Sequence, residues 1–308
     1  MPSDKKRLGF VDYRLDNFHA NTFLTLLRGP LKHRGYVVAG ATAVSREPSA
    51  AWARAHNVPY FDSAGELNEY VDGFMVLAPS DPQLHLAMCE QVFPFQKTTF
   101  VDKTFAPDSP TAARIYDLAD RHGTAVQSTS VLRYTSVQEI VEAMDQQVQN
   151  IYVWSGGTSV EEYLIHPVEL VVSCLGADAT EIMRLGDDSH PLFVLKFSAG
   201  RVAVIDFTVG VDVPYAAAIT TPQSTQFESV DMSQLFFNGL SAMLDFFDAA
   251  APQIDRAETL LVRTILDAAT LPPERNRFLP LIPGELPRPH ARKFQRATER
   301  SSILDGRA

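Results

Sequence analysis

Over its first 128 residues the chain repeats one unit, a short apolar run followed by an amphipathic stretch long enough for a helix. This repetition narrows the possible fold more than any other feature. The apolar runs lie at 8–11, 36–44, 73–77, 99–101 and 124–127, and the helical stretches near 17–28, 49–56, 82–90 and 109–122. Strands joined through helical crossovers pair in parallel, and both faces of such a sheet are covered. The expectation is an α/β fold whose first domain, residues 1–128, is a Rossmann-type doubly wound parallel sheet that takes ligands at the carboxyl ends of its strands.

Beyond residue 128 the pattern changes. After a helix near 136–147, strands are expected at 151–154, 181–185, 192–197 and 201–209, with Ser198-Ala199-Gly200 as a tight hairpin turn. Phe193, Leu195 and Phe197 alternate with Val194, Lys196 and Ser198, which fits a sheet with only one face fully covered. Long helices near 232–250 and 256–269 follow, with Leu235, Leu240, Met243 and Phe246 at roughly helical spacing. Residues 129–285 therefore read as an α+β domain with an open, mainly antiparallel sheet, and 286–308, rich in Pro, Arg and charge, as an extended tail.

A net charge of -10, with no run of clustered Lys and Arg, argues against nucleic acid and points to a small-molecule partner. Cys89 and Cys174 sit in apolar helical contexts without metal-ligand spacing, as buried thiols in a reducing compartment do. With no apolar signal segment and no run of about 18 apolar residues, neither secretion nor a membrane is expected, and the protein reads as cytoplasmic.

Two constellations carry chemistry. Lys103 follows the run Thr99-Phe100-Val101 directly, beside Asp102, where a lysine at a strand end can reach a ligand; alone, it would more often be a surface lysine. Some sixty residues later, Gly156-Gly157 precede Glu162 and His166. On a helix these two side chains stand one turn apart on one face, where a carboxylate can orient and polarise an imidazole. His166 alone could be a satisfied core histidine among Leu164, Ile165 and Val168. Lys, His and a carboxylate together can move protons onto and off a hydroxyl. His19, His85 and His166 with Asp12 and Asp16 match no zinc spacing, so no metal is expected.

The order of these parts resembles the Gfo/Idh/MocA family of nicotinamide-dependent sugar and polyol dehydrogenases. Asp102-Lys103-Thr104 stands where that family carries Glu-Lys-Pro at a strand end. Glu162, His166 and Glu169 stand where it carries Asp, His and Asp after a Gly-Gly pair. The resemblance extends through 38–62 with His56-Asn57-Val58-Pro59, through 72–85 with Ala78-Pro79-Ser80, and to Leu132-Arg133-Tyr134. It implies that Lys103, His166 and Glu162 are catalytic, that Ala78, Pro79 and Asp102 line the cofactor, that substrate is a sugar or polyol, and that the C-terminal sheet supports a homo-oligomer.

One segment departs from the family. A dinucleotide-binding first turn normally carries Gly-x-Gly-x-x-Gly, because the diphosphate must approach backbone and helix N-terminus closely. Here Leu8-Gly9-Phe10-Val11 runs into Asp12-Tyr13-Arg14-Leu15-Asp16-Asn17, with Asp12, Arg14 and Asn17 roughly where the glycines belong. Either Arg14 supplies phosphate contacts or the turn no longer binds a dinucleotide; in both cases Asp16 or Asn17 can cap the next helix. After the second strand, Ser45 and Arg46 offer a hydroxyl and a guanidinium, which suit the 2′-phosphate of NADP over the ribose hydroxyls of NAD. The expected function is an NAD(P)-dependent oxidoreductase on a sugar, polyol or related hydroxy compound. The rival is a non-catalytic ligand-binding or regulatory protein on the same scaffold. In the first case Asp12, Ser45, Pro79 and Lys103 should face His166 across a cleft.

Overall fold

The computed structural model describes residues 5–271 and 276–282; the tail expected at 286–308 lies outside them. The first half forms a five-stranded parallel sheet from β1 (Lys6–Asp12), β2 (Tyr36–Ala43), β3 (Gly73–Val76), β4 (Thr99–Val101) and β5 (Val126–Gln127), in spatial order 2-1-3-4-5. Between the strands run α1 (Phe18–Arg28), α2 (Arg46–Ala55), α3 (Ala64–Asn68), α4 (His85–Val92) and α5 (Ser109–His122). The two-residue period of the strands sorts their side chains between two cores. Leu8, Phe10, Met75 and Phe100 pack with Phe23, Leu24 and Trp52 of α1 and α2. Phe74, Val76 and Val101 pack with Leu67, Met88, Cys89 and Ile115 of α3, α4 and α5.

Local signals account for the helix ends. Asn17 caps α1 by accepting the Ala20 amide at 3.0 Å, and Asp108 caps α5 by accepting that of Thr111 at 2.7 Å. Gly123, at φ 66°, ends α5 in the left-handed conformation that glycine adopts without a Cβ penalty. Helix α2 starts at Arg46, three residues earlier than its sequence suggests, because Pro48 falls in the first turn where no amide partner is needed.

After α6 (Ser136–Glu142) comes the second sheet. Its strands are β6 (Asn150–Gly157), β7 (Ala179–Gly186), β8 (Pro191–Phe197), β9 (Val202–Val209), β10 (Ala216–Thr220), β11 (Thr225–Ser229) and β12 (Leu279–Pro280). Their order is 11-10-6-9-8-7-12, and every pair is antiparallel except β6 with β9. Phe193, Leu195 and Phe197 are buried, whereas Leu192, Val194 and Lys196 on the opposite face are partly exposed. This is the α/β architecture expected, with an open and mainly antiparallel second sheet.

Helices α7 (Val160–Tyr163) and α8 (Ile165–Leu175) follow β6, and α9 (Leu235–Ala249) and α10 (Arg256–Thr270) return toward the first sheet. Helix α9 packs on α1, and α10 on α5 and α8. Polar ties reinforce these contacts. Asp267 accepts from the Ser109 amide at 2.8 Å and its hydroxyl at 2.5 Å, Arg34 bridges Asp245 and Asp248, and the Tyr36 hydroxyl donates to Asp248 at 2.6 Å. One hydrophobic core thus runs from Leu8 and Phe10 of the first sheet into the second. Among the described residues no helix is long and apolar enough to cross a membrane. Neither Cys89 nor Cys174 is in a disulfide, and burial raises both thiols, Cys174 to about 12.

Candidate active site

The carboxyl ends of the parallel strands place four turns side by side. The turn after β1 carries Asp12, Arg14 and Asn17, that after β2 carries Ser45 and Arg46, that after β3 carries Ala78, Pro79 and Ser80, and that after β4 carries Asp102 and Lys103. Backbone bonds tie the first two together: the Val44 amide donates to Asp12 O at 3.1 Å and the Ser45 amide to Tyr13 O at 2.9 Å.

At the end of β4, Lys103 is only 9% exposed, and its Nζ has no hydrogen-bond or ion-pair partner among the described residues. The Lys103–Thr104 peptide is cis. Asp102 is fully buried, accepts the Lys103 amide at 2.8 Å on Oδ1 and pairs through Oδ2 with His19 Nδ1 at 2.5 Å. Burial pushes the Asp102 carboxyl up, but the adjacent His19 and Lys103 charges and their hydrogen bonds outweigh it and hold the group below the usual carboxylate range. His85, fully buried in α4, contacts Leu77 O at 2.6 Å and Phe105 O at 3.1 Å, pinning the segments that follow β3 and β4 to each other.

From the helix that follows β6 comes His166, in the first turn of α8. Its Nδ1 lies 2.8 Å from Ser130 Oγ, and the rings of Tyr163 and Tyr215 meet it edge-on at 5.9 and 6.4 Å. Burial lowers the imidazole well below its ordinary value, and the charges of Lys103 and His19 lower it further. Lys103 and His19 therefore lie near enough to His166 for their charges to reach it. His166 is neutral at neutral pH, the form able to accept a proton.

The pairing expected between Glu162 and His166 is not made. Glu162 belongs to the separate short α7 and accepts from Ser80 Oγ at 3.2 Å, so it bridges to the turn after β3 while Ser130 holds the imidazole. The i,i+4 spacing assumed one continuous helix, and the chain breaks it at Leu164. Glu169, one turn past His166, is buried in an ion pair with Arg133 at 2.8 Å. The Gly156-Gly157 pair has a steric origin: a Cβ on Gly156 would lie 2.6 Å from Val211 O, and one on Gly157 would lie 2.4 Å from the Tyr163 ring.

His19 bonds to Asp102 and Ser130 to His166, and neither is marked by the sequence as a proton-handling group. Their partners lie 83 and 36 residues away along the chain. The available signal was the position of His19 at the start of the first helix after a parallel strand, beside the carboxyl edge.

No protein-family model and no curated protein sequence matches the chain. Solved structures do match. UDP-N-acetylglucosamine 3-dehydrogenase from Acidithiobacillus ferrooxidans aligns with a TM-score of 0.72 at 14% identity, covering 86% of this chain and 96% of that one. Scyllo-inositol dehydrogenase from Lactobacillus casei aligns at 0.75 and 12%, covering 91% and 99%. An oxidoreductase from Agrobacterium radiobacter in complex with NAD+, L-tartaric acid and magnesium aligns at 0.73 and 10%, covering 90% and 98%. The fold is that of these dehydrogenases.

A nicotinamide dinucleotide fits two of the four turns. Ser45 starts α2 with no side-chain cap bond, and Arg46 is an exposed guanidinium paired with Asp62 at 2.9 Å, a surface pair worth little in water. Ala78 and Pro79 lie between the Asp12 turn and the Lys103 turn, with Ala78 held at φ 56°. The first turn fits less simply. Asp12 is 1% exposed, and its Oδ1 accepts the amides of Tyr13, Arg14 and Ala78 at 2.7, 3.3 and 3.0 Å, while Oδ2 accepts from Asn17 Nδ2 at 2.7 Å. Arg14 closes on Asp16 through bonds of 3.0 and 2.6 Å. The amides that would meet a phosphate are held by a carboxyl group of the chain itself.

Proposed function

We propose that the chain is a nicotinamide-dependent oxidoreductase acting on a hydroxyl of a sugar, polyol or related hydroxy compound, with Lys103 and His166 handling the proton. The observation that carries this reading is a buried Lys103, without a bonding partner among the described residues, at the carboxyl edge of a parallel sheet, near enough for its charge to lower His166. A bound nicotinamide ring supplies the hydride acceptor or donor. Lys103 Nζ donates to the substrate oxygen and favours its anionic form. His166 Nε2 takes or returns the proton. Ser130 Oγ can donate to or accept from Nδ1, so it supports either tautomer as the proton moves. Asp102 orients His19 and offsets the local positive charge, and Glu162 with Ser80 ties α7 to the turn after β3.

NADP is favoured over NAD by Arg46, whose weak surface pair leaves it free to turn to a 2′-phosphate. Arg46→Ala should cost NADPH about 1.5 to 3 kcal/mol of binding and spare NADH, read by nicotinamide fluorescence. NADH preferred by the unaltered protein would sink the arginine argument.

The occupied Asp12 turn favours a second reading, a ligand-binding or regulatory protein that has given up the dinucleotide. Binding of neither reduced cofactor at millimolar concentration selects it. A homo-oligomer built on the second sheet belongs to the same proposal, supported by the partly exposed Tyr152, Trp154, Leu192, Val194 and Val204 on its outer face. Sedimentation as a monomer at micromolar concentration would dispose of it.

A further inference from the structure

Backbone amides at the first turn of a parallel sheet form a hollow that ordinarily holds a phosphate oxygen. In this chain the amides of Tyr13 and Arg14, from the turn itself, and of Ala78, from the turn after β3, converge on one atom, Asp12 Oδ1. The second oxygen takes the Asn17 amide, from the residue that also caps α1. A buried carboxylate so placed has the same donors, and the same sign of charge, as the group it displaces. The Ala78 backbone, at φ 56°, is held in the left-handed region that disfavours a side chain, and its amide is one of the three. The hollow is thus built, strained and filled from within.

We infer that the Asp12 turn is a diphosphate site that binds only with proton uptake, the carboxyl group accepting one proton from solvent as the diphosphate of a nicotinamide dinucleotide enters. This rests on the oxidoreductase reading and specifies its cofactor site. The neutral acid keeps Oδ1 as the acceptor of the three amides. Its O–H, on Oδ2, displaces Asn17 Nδ2, so that the hydroxyl and the side-chain amide both become donors to the phosphate. Ionised Asp12 would instead set a buried negative charge against two more in a poorly screened site.

The proton is available near neutrality. Burial lifts Asp12 to about 7, against the opposing pull of the bonds from Asn17, Tyr13, Arg14 and Ala78. Among the described residues only amides bond to its carboxyl, and no charged group does, Lys103 after β4 included. On its own turn Arg14 and Asp16 are joined to each other, Arg46 after β2 is joined to Asp62, and Asp102 after β4 is joined to His19. The β3 turn contributes only the Ala78 amide, and Asp81 beyond it accepts from Gln83.

The test titrates the full chain with NADH, whose phosphates do not change charge in this range, by nicotinamide fluorescence at about pH 6 and about pH 8.5. If only the protonated form binds, affinity falls tenfold per pH unit above the Asp12 value, roughly 30-fold over this interval. Asp12→Asn, which mimics the neutral acid, should remove most of that dependence. Calorimetry on the unaltered protein at about pH 8, in two buffers of different ionisation enthalpy, should read close to one proton taken up and does not depend on the variant folding. NADH binding without proton uptake overturns the inference and leaves the cofactor reading standing. No binding of NADH or NADPH at either pH overturns both.

Discussion

Replacement of Lys103 by methionine is expected to lower kcat on any hydroxy substrate found by screening by ~10²- to 10⁴-fold, the usual worth of a positioned proton-transfer group. Methionine matches the length and apolar stem of lysine but has no donor. Lys103 is 9% exposed and its Nζ makes no hydrogen bond or ion pair among the described residues, so no such bond is lost with it. The change has a second signature. The Lys103 charge is one of the causes that lower His166, so its removal raises the imidazole, and the acid limb of the kcat profile should move to higher pH. A loss of rate with no movement of that limb would mean that the lysine acts apart from His166, and a near-normal kcat would assign the proton to another group.

Arg133→Met should be the most destabilising single change in this region, at about 3 to 5 kcal/mol in denaturant unfolding, the range for removing one partner of a buried ion pair. Arg133 donates to Glu169 at 2.8 Å and to Glu258 at 2.6 Å, joining the segment after β5 to both α8 and α10. Without it Glu169, whose side chain is 6% exposed, keeps only the Thr129 hydroxyl at 3.2 Å and no counterion among the described residues. Glu169→Gln in the same background should recover part of the loss, because the uncompensated charge goes with it. A cost under about 1 kcal/mol would show that water reaches the pair.

These two residues also mark where sequence reasoning succeeds and where it stops. Lys103 is legible because its place depends on its neighbours: Thr99, Phe100 and Val101 make a buried strand, and the residues just beyond it, Asp102 and Lys103, meet the carboxyl edge. The alternation of the first half and the in-out pattern of β8 are local in the same way, and so is the Asn17 cap. Arg133 and Glu169 fall within the family likeness, yet their partnership with each other and with Glu258 is formed by three elements distant in sequence. Asp12 is the sharper case. Its residue type argues against a phosphate, but its effect depends on the Ala78 amide 66 positions away. β10 and β11 are not legible because Ala216-Ala217-Ala218 lacks the β-branched signature and Thr225–Ser229 is largely exposed; pairing of β10 to β6 and of β11 to β10 makes them strands. Helix α3, at five residues, is too short for its periodicity to register.

The return of α9 onto α1 also bears on how the chain comes into being. A ribosome delivers β1 to β5 first, and early domains generally fold as they emerge. Here the apolar side of α1 that carries Phe23 is completed by Phe236, and Tyr36 and Arg34 find their carboxylates on Asp248 and Asp245. The nascent first half must therefore wait, with that flank bare, until α9 has been made. Truncation after β5 would strand the same surface permanently, with Phe23 facing water and Arg34 and Tyr36 without their carboxylates.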